Sequence, residues 1–232
     1  ERRIEELEQK QLNDLKKTIE HAMQQNTQLQ SYKEQLIIEM TKDGLRISVT
    51  DKNNRPMFDL GSSYLKWYMK GILKELSKLM NSVPNKISIA GHTDATKFYS
   101  EDGYSNWELS SDRANATRRQ LLSSGMRAEK VIRVVGLASI APFDKADPYS
   151  PINRRITITV LRKKAEKAIM LGAEAVNYKS APDYLNPSNG EVKLPSANGD
   201  DGAQESTYQQ PPPAPNFLNL PAITPDMVES PQ

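Results

Sequence analysis

An acid and an arginine, Asp94 and Arg113, are the residues whose chemistry and placement first suggest a binding site. Asp94 ends the segment 87–94, whose alternating isoleucines predict a short strand with one buried face. Arg113 lies early in a predicted helix that opens near Ser105 or Asn106, either of which is a suitable cap. A carboxylate and a guanidinium held close together suit a ligand that carries both an ammonium and a carboxylate. The alternative is an Asp–Arg pair that only braces strand against helix, since the two residues are 19 positions apart and meet only if the loop folds back.

Three short motifs contain these two residues and follow one another along the chain. They are Gly91-His-Thr-Asp94, Asn106-x-x-Leu109-Ser110-x-x-Arg113-Ala114 and Asn153-Arg154-Arg155. In this order they resemble the signature of OmpA-like peptidoglycan-binding domains, over roughly residues 34–162. The resemblance implies that Asp94 and Arg113 hold the zwitterionic end of diaminopimelate, in the stem peptide of the cell wall. It also implies ligand-binding roles for Thr93, Asn106, Leu109, Asn153 and Arg154.

Further details resemble one branch of that family, the periplasmic part of flagellar stator proteins. They are Trp107, the segment 150–156 and the segment 57–61. This resemblance implies that the chain binds peptidoglycan without turnover and fixes an ion-driven stator to the wall. A homodimer is expected, because single exposed ion pairs contribute only about 0–1 kcal/mol and two copies would act together through avidity. Two alternatives stay open, which are a linker between outer membrane and wall and, less favoured, a peptidoglycan hydrolase.

The same resemblance implies further partners and a location. The protein would meet a membrane subunit of the stator through an N-terminal segment absent from this chain, and the basal-body P ring would be a second protein partner. It would be anchored in the inner membrane, with the wall-binding domain in the periplasm.

Catalytic and metal-binding roles find little support. The chain has no cysteine, and its two histidines, His21 and His92, lie far apart, so neither a disulfide nor a zinc site is expected. A triad of Ser110, His92 and Asp94 lacks the context of a nucleophile elbow, and no glycine-rich phosphate loop is present. We therefore predict a protein that is not an enzyme and takes no cofactor or metal.

Charge is distributed unevenly along the 232 residues, whose formal net charge is +2. Residues 172–232 carry two lysines and eight acids, so residues 1–171 carry a net charge of +8. A basic body suits an anionic polymer, either cell wall or nucleic acid. No basic helix with base-reading residues appears, so no nucleic-acid partner is expected. The sequence also contains no apolar run of about 18 residues that would span a bilayer.

The hydrophobic pattern predicts the elements that position these residues. Residues 1–33 form a predicted helical linker, whose apolar stripe either pairs with a second copy or packs on its own domain. Residues 34–162 follow the order β-β-α-β-α-β-β, which predicts an α/β two-layer sandwich with helices on one face of a mixed sheet. The resemblance implies a β-α-β-α-β core within it. Residues 163–232 are predicted to be a short basic helix and then a disordered, proline-rich acidic tail.

Four finer expectations concern local features of the chain. Arg154 is expected on the core side of the last strand, where it must meet a carboxylate, and Arg155 on the solvent side. A helix is expected to open at residues 61–63, and its aromatic residues are expected in the core or at its rim. These aromatic residues are Tyr64, Trp67 and Tyr68.

Overall fold

The structure is a computed structural model that describes residues 2–26, 30, 32–52, 55–100 and 103–174. The helices are α1 (Arg2–Gln25), α2 (Trp67–Asn81), α3 (Asn106–Ser123) and α4 (Lys163–Glu174). The strands are β1 (Leu36–Thr41), β2 (Gly44–Thr50), β3 (Ile87–His92), β4 (Val131–Gly136) and β5 (Arg155–Leu161). None of the helices in these ranges is long and apolar enough to cross a membrane. The predicted disordered tail lies outside the described residues.

The strands form one mixed sheet in the order β1-β2-β5-β3-β4. Only the neighbours β3 and β4 are parallel among the pairs of this sheet, and the others are antiparallel. The predicted α/β fold class and the order of its elements are confirmed. Because β5 lies between β2 and β3, the last of the described strands joins the β1–β2 hairpin to the rest of the sheet.

The core lies between one face of the sheet and the helices. Residues at alternate strand positions point to the same side, so Ile47, Ile158 and Ile89 form a row across β2, β5 and β3. All three are fully buried, and they pack with Leu73 of α2 and Leu121 of α3 in one apolar cluster. This face of the sheet therefore holds α2 and α3 in fixed positions.

Helix α1 packs on its own domain over its second half. Leu12, Leu15 and Ile19 are buried in the same core cluster, and α1 contacts α2 and β2. The first turns differ, since Ile4 and Leu7 are 67% and 58% exposed. For residues 12–23 the structure thus favours packing on the same domain over pairing with a second copy, because β2 and α2 supply an apolar surface within the same chain.

Two local expectations are wrong. The helix α2 begins at Trp67 rather than near Gly61, because Phe58 bridges to Leu65 and turns residues 57–66 into a compact loop. Arg155 is only 8% exposed, although it lies on the face of the sheet opposite the core. Its guanidinium lies against the ring of Phe143 and is covered by the loop that follows β4.

The aromatic residues of this region do not share one environment. Tyr64 and Trp67 are each 78% exposed, so neither is in the core. Tyr68 is half-buried and stacks on Tyr32, with ring centroids 5.1 Å apart.

Candidate ligand-binding cleft

Two carboxylates and an arginine meet at one edge of the sheet because of its strand order. Asp51 follows the end of β2, Asp94 follows the end of β3 by two residues, and Arg154 directly precedes β5. In the register of the sheet, Arg155 pairs with Thr50 of β2 on one side and with the end of β3 on the other. Arg154 is therefore placed between the two acids.

The three side chains form a bridged ion triad. Arg154 Nε donates to Asp51 Oδ2 at 2.8 Å, and its Nη1 donates to Asp94 Oδ2 at 2.6 Å. The other carboxylate oxygens accept backbone N–H groups, from Met57 at 2.8 Å and from Thr96 at 3.0 Å. Burial alone would lower the pKa of Arg154, but the hydrogen bonds to Asp51 and Asp94 outweigh it and raise that pKa. Arg154 is thus held in its charged form by protein carboxylates.

Arg113, on helix α3, reaches the same edge of the sheet from the side of the cleft opposite the ion triad. Its helix begins in a fixed place, because the Ser105 side chain accepts from Trp107 N and Glu108 Oε2 accepts from Ser105 N at 2.8 Å. Ser105, rather than Asn106, is therefore the cap. Two turns later, Arg113 is 8% exposed, and its Nε donates to the Ser62 carbonyl at 2.9 Å.

Arg113 is a cation without a carboxylate partner among the residues that the structure describes. Its guanidinium carbon lies 5.0 Å from the centre of the Phe58 ring, which stabilises the charge only modestly. Burial lowers the pKa of Arg113, whereas Asp51 opposes this effect. A ligand carboxylate would supply the partner that the protein itself does not.

A cleft of about 470 Å³ lies between the triad and Arg113. Six of the seven predicted ligand-binding residues line it, and these are Thr93, Asp94, Asn106, Leu109, Arg113 and Arg154. Asp94 and Arg113 face one cleft without forming an ion pair with each other, since Asp94 is engaged by Arg154. The simple brace between strand and helix is thus not what the structure contains.

The seventh predicted residue, Asn153, does not line the cleft. It is fully buried, its Oδ1 accepts from Asp144 N at 2.8 Å, and its Nδ2 donates to the carbonyls of Asp144 and Asp147. Its contacts hold the loop 144–147 in place. The structure therefore gives Asn153 a supporting position one residue away from Arg154.

Two neutral residues of the cleft differ in how they are used. Asn106 Nδ2 donates to the Thr96 carbonyl at 2.8 Å and so braces the loop after Asp94. Thr93 is 4% exposed, and its buried Oγ1 has no hydrogen-bond partner within the described ranges. Buried hydroxyls are normally paired, so a polar atom of a ligand is a suitable partner for Thr93.

Asp51, Phe58 and Phe98 are among the residues that line the cleft and that sequence reasoning missed. The position of Asp51 was a usable signal, because it follows a strand just as the predicted binding residue Asp94 does. The two phenylalanines have no such signal. They come from loops that meet only in the folded chain.

Two glycines permit the close approaches that shape the cleft. A side-chain carbon at Gly91 would lie 2.0 Å from the Ser110 carbonyl oxygen, so only glycine lets α3 pack directly on β3. This contact sets the separation between Asp94 and Arg113. Gly61 has φ +62°, and a side-chain carbon there would lie 2.9 Å from the Phe98 ring.

The catalytic arrangement considered for Ser110, His92 and Asp94 is not assembled. Ser110 Oγ donates to the Trp107 carbonyl and accepts from Ala138 N, both at 3.0 Å. His92 is 5% exposed and lines a different cavity, on the sheet face away from the core. What the cleft can offer chemically is recognition of charge and shape.

Comparison with known proteins identifies the class of domain first. Residues 57–155, which include most of the cleft but not Asp51, match the sequence model of the OmpA family. The predicted OmpA-like domain is thereby confirmed for this segment.

The particular relatives are motility proteins. The chain is 43% identical over 172 residues to Motility protein B of Escherichia coli strain K12, a match that covers 72% of this chain and 56% of that protein. Motility protein B of Bacillus subtilis strain 168 is 30% identical over 134 residues, covering 56% of this chain and 50% of that protein. The chain thus spans about half the length of the curated relatives it matches. These matches confirm the resemblance to flagellar stator proteins that the sequence predicts.

A solved structure shows the same fold. It is that of a MotB-like protein from Desulfovibrio vulgaris, with a TM-score of 0.54 and 19% sequence identity. The match covers 68% of this chain and 99% of the other.

Proposed function

We propose that this chain binds peptidoglycan non-covalently and anchors a flagellar stator to the cell wall. The observation that carries the proposal is the charge arrangement of the cleft. The triad of Asp51, Arg154 and Asp94 holds two negative charges and one positive charge, so it has a net charge of −1. Arg113, on the other side of the cleft, adds an uncompensated positive charge.

This arrangement matches a zwitterion. An ammonium group would lie at the acidic triad, and a carboxylate would lie at the guanidinium of Arg113, where two parallel N–H donors can bind both of its oxygens. The side-chain end of diaminopimelate, which the family resemblance implies as the ligand, carries these two groups on one carbon atom. Thr93 would contact the same end of diaminopimelate with its hydroxyl and Asn106 with its amide. Leu109 would form an apolar wall beside it.

The role in the motor rests on the motility relatives. A wall-bound domain would keep the stator from turning with the rotor, and this task needs recognition without turnover. We assign the chain to the periplasm, as part of a protein that is anchored in the inner membrane. Its partner there would be MotA, the membrane subunit of the stator, and the basal-body P ring would be a further partner. Since each cleft offers only a few partly exposed ion pairs, two copies per stator would hold more tightly through avidity.

Pelleting with purified sacculi tests the binding. Wild-type sacculi should carry the chain into the pellet, whereas sacculi with amidated diaminopimelate should carry much less, because amidation removes the carboxylate that Arg113 would bind. Equal pelleting with both kinds of sacculi would contradict the assigned ligand group.

The same samples separate a binder from a hydrolase. A binder leaves no soluble muropeptides in the supernatant after prolonged incubation, and a hydrolase releases them. Release by this chain would contradict recognition without turnover.

A further inference from the structure

A second cavity, of about 670 Å³, lies on the face of the sheet opposite the core. We refer to it as the outer-face cavity. Its floor consists of outward-pointing hydroxyl residues, which include Ser48, Ser88, Thr157 and Thr159. The helix α4 covers one side with Ala165 and Ile169. The cavity therefore has a polar floor and an apolar side wall.

Three arginines surround the floor. In the sheet register, Arg46 of β2, Thr159, Ser88 and Arg133 of β4 lie side by side across four strands. Three strand spacings separate the two arginines by about 14 Å. Arg155 lies at the other end of the patch, next to His92 across the β3–β5 pair. The three guanidinium groups thus approach one floor from three sides.

The protein offsets the positive charge of this cavity only in part, since Glu39 of β1 lies opposite Arg46 in the sheet register. In the described part of the chain, none of Arg46, Arg133 and Arg155 forms an ion pair. Asp43, at the turn of the hairpin, is the one acid that lines the cavity among the described residues. Arg155 is buried, yet it donates only to backbone carbonyls, of Asn153 at 3.2 Å and of Ala141 at 2.7 Å. Buried cations are usually paired with an anion.

His92 gives an independent sign of the same imbalance. It lines the outer-face cavity, is 5% exposed, and its buried Nδ1 has no hydrogen-bond partner among the described residues. Burial, and then the charges of Arg155 and Arg46, lower the pKa of His92 to about 3. An imidazole nitrogen without a partner in the described chain therefore lies next to Arg155, in a cavity that can admit an anion.

We propose that the outer-face cavity binds an organic phosphate, with its phosphoryl oxygens between Arg46 and Arg155 and its apolar part against α4. The planar guanidinium groups can donate two hydrogen bonds each to such oxygens, and the hydroxyl floor supplies further donors. The apolar residues of α4 favour an ester over inorganic phosphate. This site is separate from the wall-binding cleft, and neither proposal depends on the other.

Titration with monohexyl phosphate and with inorganic phosphate, at constant ionic strength, tests the site. Binding is followed by the NMR resonances of His92 and by the thermal unfolding midpoint. Monohexyl phosphate should bind more tightly, and either anion should raise the pKa of His92. Arg46→Gln, which is shorter and neutral but keeps an amide donor, should weaken binding about tenfold or more, because a charge-assisted hydrogen bond is lost.

The control variant is Arg119→Gln, which removes the same charge from an exposed position on α3, in the other layer of the fold. It should bind the ester as the wild type does. A second variant at an exposed lining position, Arg133→Gln, should also weaken binding and guards against misfolding of the Arg46 variant. The proposal is overturned if neither compound shifts His92, or if Arg46→Gln binds as tightly as Arg119→Gln.

Vesicles separate two sources of the phosphate. Co-sedimentation with phosphatidylglycerol vesicles that is lost in Arg46→Gln identifies a lipid headgroup, whereas binding of the soluble ester alone identifies a free phosphate ester. Both results support the site. Vesicle binding that Arg119→Gln lowers as much as Arg46→Gln does would count against it.

Discussion

Replacing Arg113 by glutamine should separate ligand binding from folding. Arg113 makes one hydrogen bond to a carbonyl and one ring contact within the protein, and it carries an unpaired buried charge. Losing the contacts costs about 1–2 kcal/mol, but removing a buried unpaired cation offsets much of this. The free energy of unfolding of Arg113→Gln should therefore lie within about 1 kcal/mol of the wild-type value. Its binding should fall by about 1.5–3 kcal/mol per site, which is about 10- to 150-fold, because a charge-assisted contact to the ligand is lost.

Arg154→Gln should behave in the opposite way. It leaves two carboxylates, whose side chains are 10% and 8% exposed, without their shared cation. Removing one partner of a fully buried ion pair typically costs about 3–5 kcal/mol, and the cost here should lie at or below the lower end because the Arg154 side chain is 33% exposed. This variant should lose stability first, and it should lose wall binding because the cleft deforms.

Urea unfolding and sacculus pelleting on the same preparations distinguish the two variants. Arg119→Gln, on the exposed side of the same helix as Arg113, controls for the lost charge and should match the wild type in both assays. If Arg113→Gln pellets as the wild type does, the cleft is not the wall-binding site. If it is as unstable as Arg154→Gln, the distinction between a ligand arginine and a structural arginine is refuted.

Three further predictions concern the fold around the sites. Between pH 6.5 and pH 5 the wild type should lose about 1.6 kcal/mol of stability in urea unfolding, because the unfolded chain takes up a proton that folded His92, with its pKa of about 3, does not. The loss should be smaller in His92→Gln. Ile19→Ala should lower the free energy of unfolding by about 2–5 kcal/mol, because Ile19 is buried. Leu7→Ala should lower it by less than about 0.5 kcal/mol, because Leu7 is exposed. Equal losses in the two variants would contradict the packing of α1 on its own domain. Gly91→Ala should cost about 1–3 kcal/mol and weaken pelleting, because its new carbon would meet the facing helix, whereas Gly71→Ala, in open space within α2, should stabilise by about 0.5–1 kcal/mol.

Local pattern alone was enough to predict most of the domain. Alternation in segments such as 45–49 and 156–160 indicates strands because one side of each must be buried, and three- and four-residue spacing indicates helices for the same reason. Six of the predicted ligand-binding residues also line one cleft. These residues can be predicted from the sequence because they stand in motifs at strand ends and helix starts. The order of the elements places such ends together at one edge of the sheet.

What the sequence by itself determined is therefore the set of elements, their order and the chemical groups at their ends. Only the tertiary structure decided which groups meet. Asp51 lies 103 residues before Arg154 in the chain, yet the place of β5 between β2 and β3 makes them partners. The same packing buries Arg155, removes Asn153 from the cleft and leaves Arg113 without an acid in the described chain. The spacing of residues along the chain does not predict these long-range contacts, because charge pairing depends on distances that only the packed sheet and its helices establish.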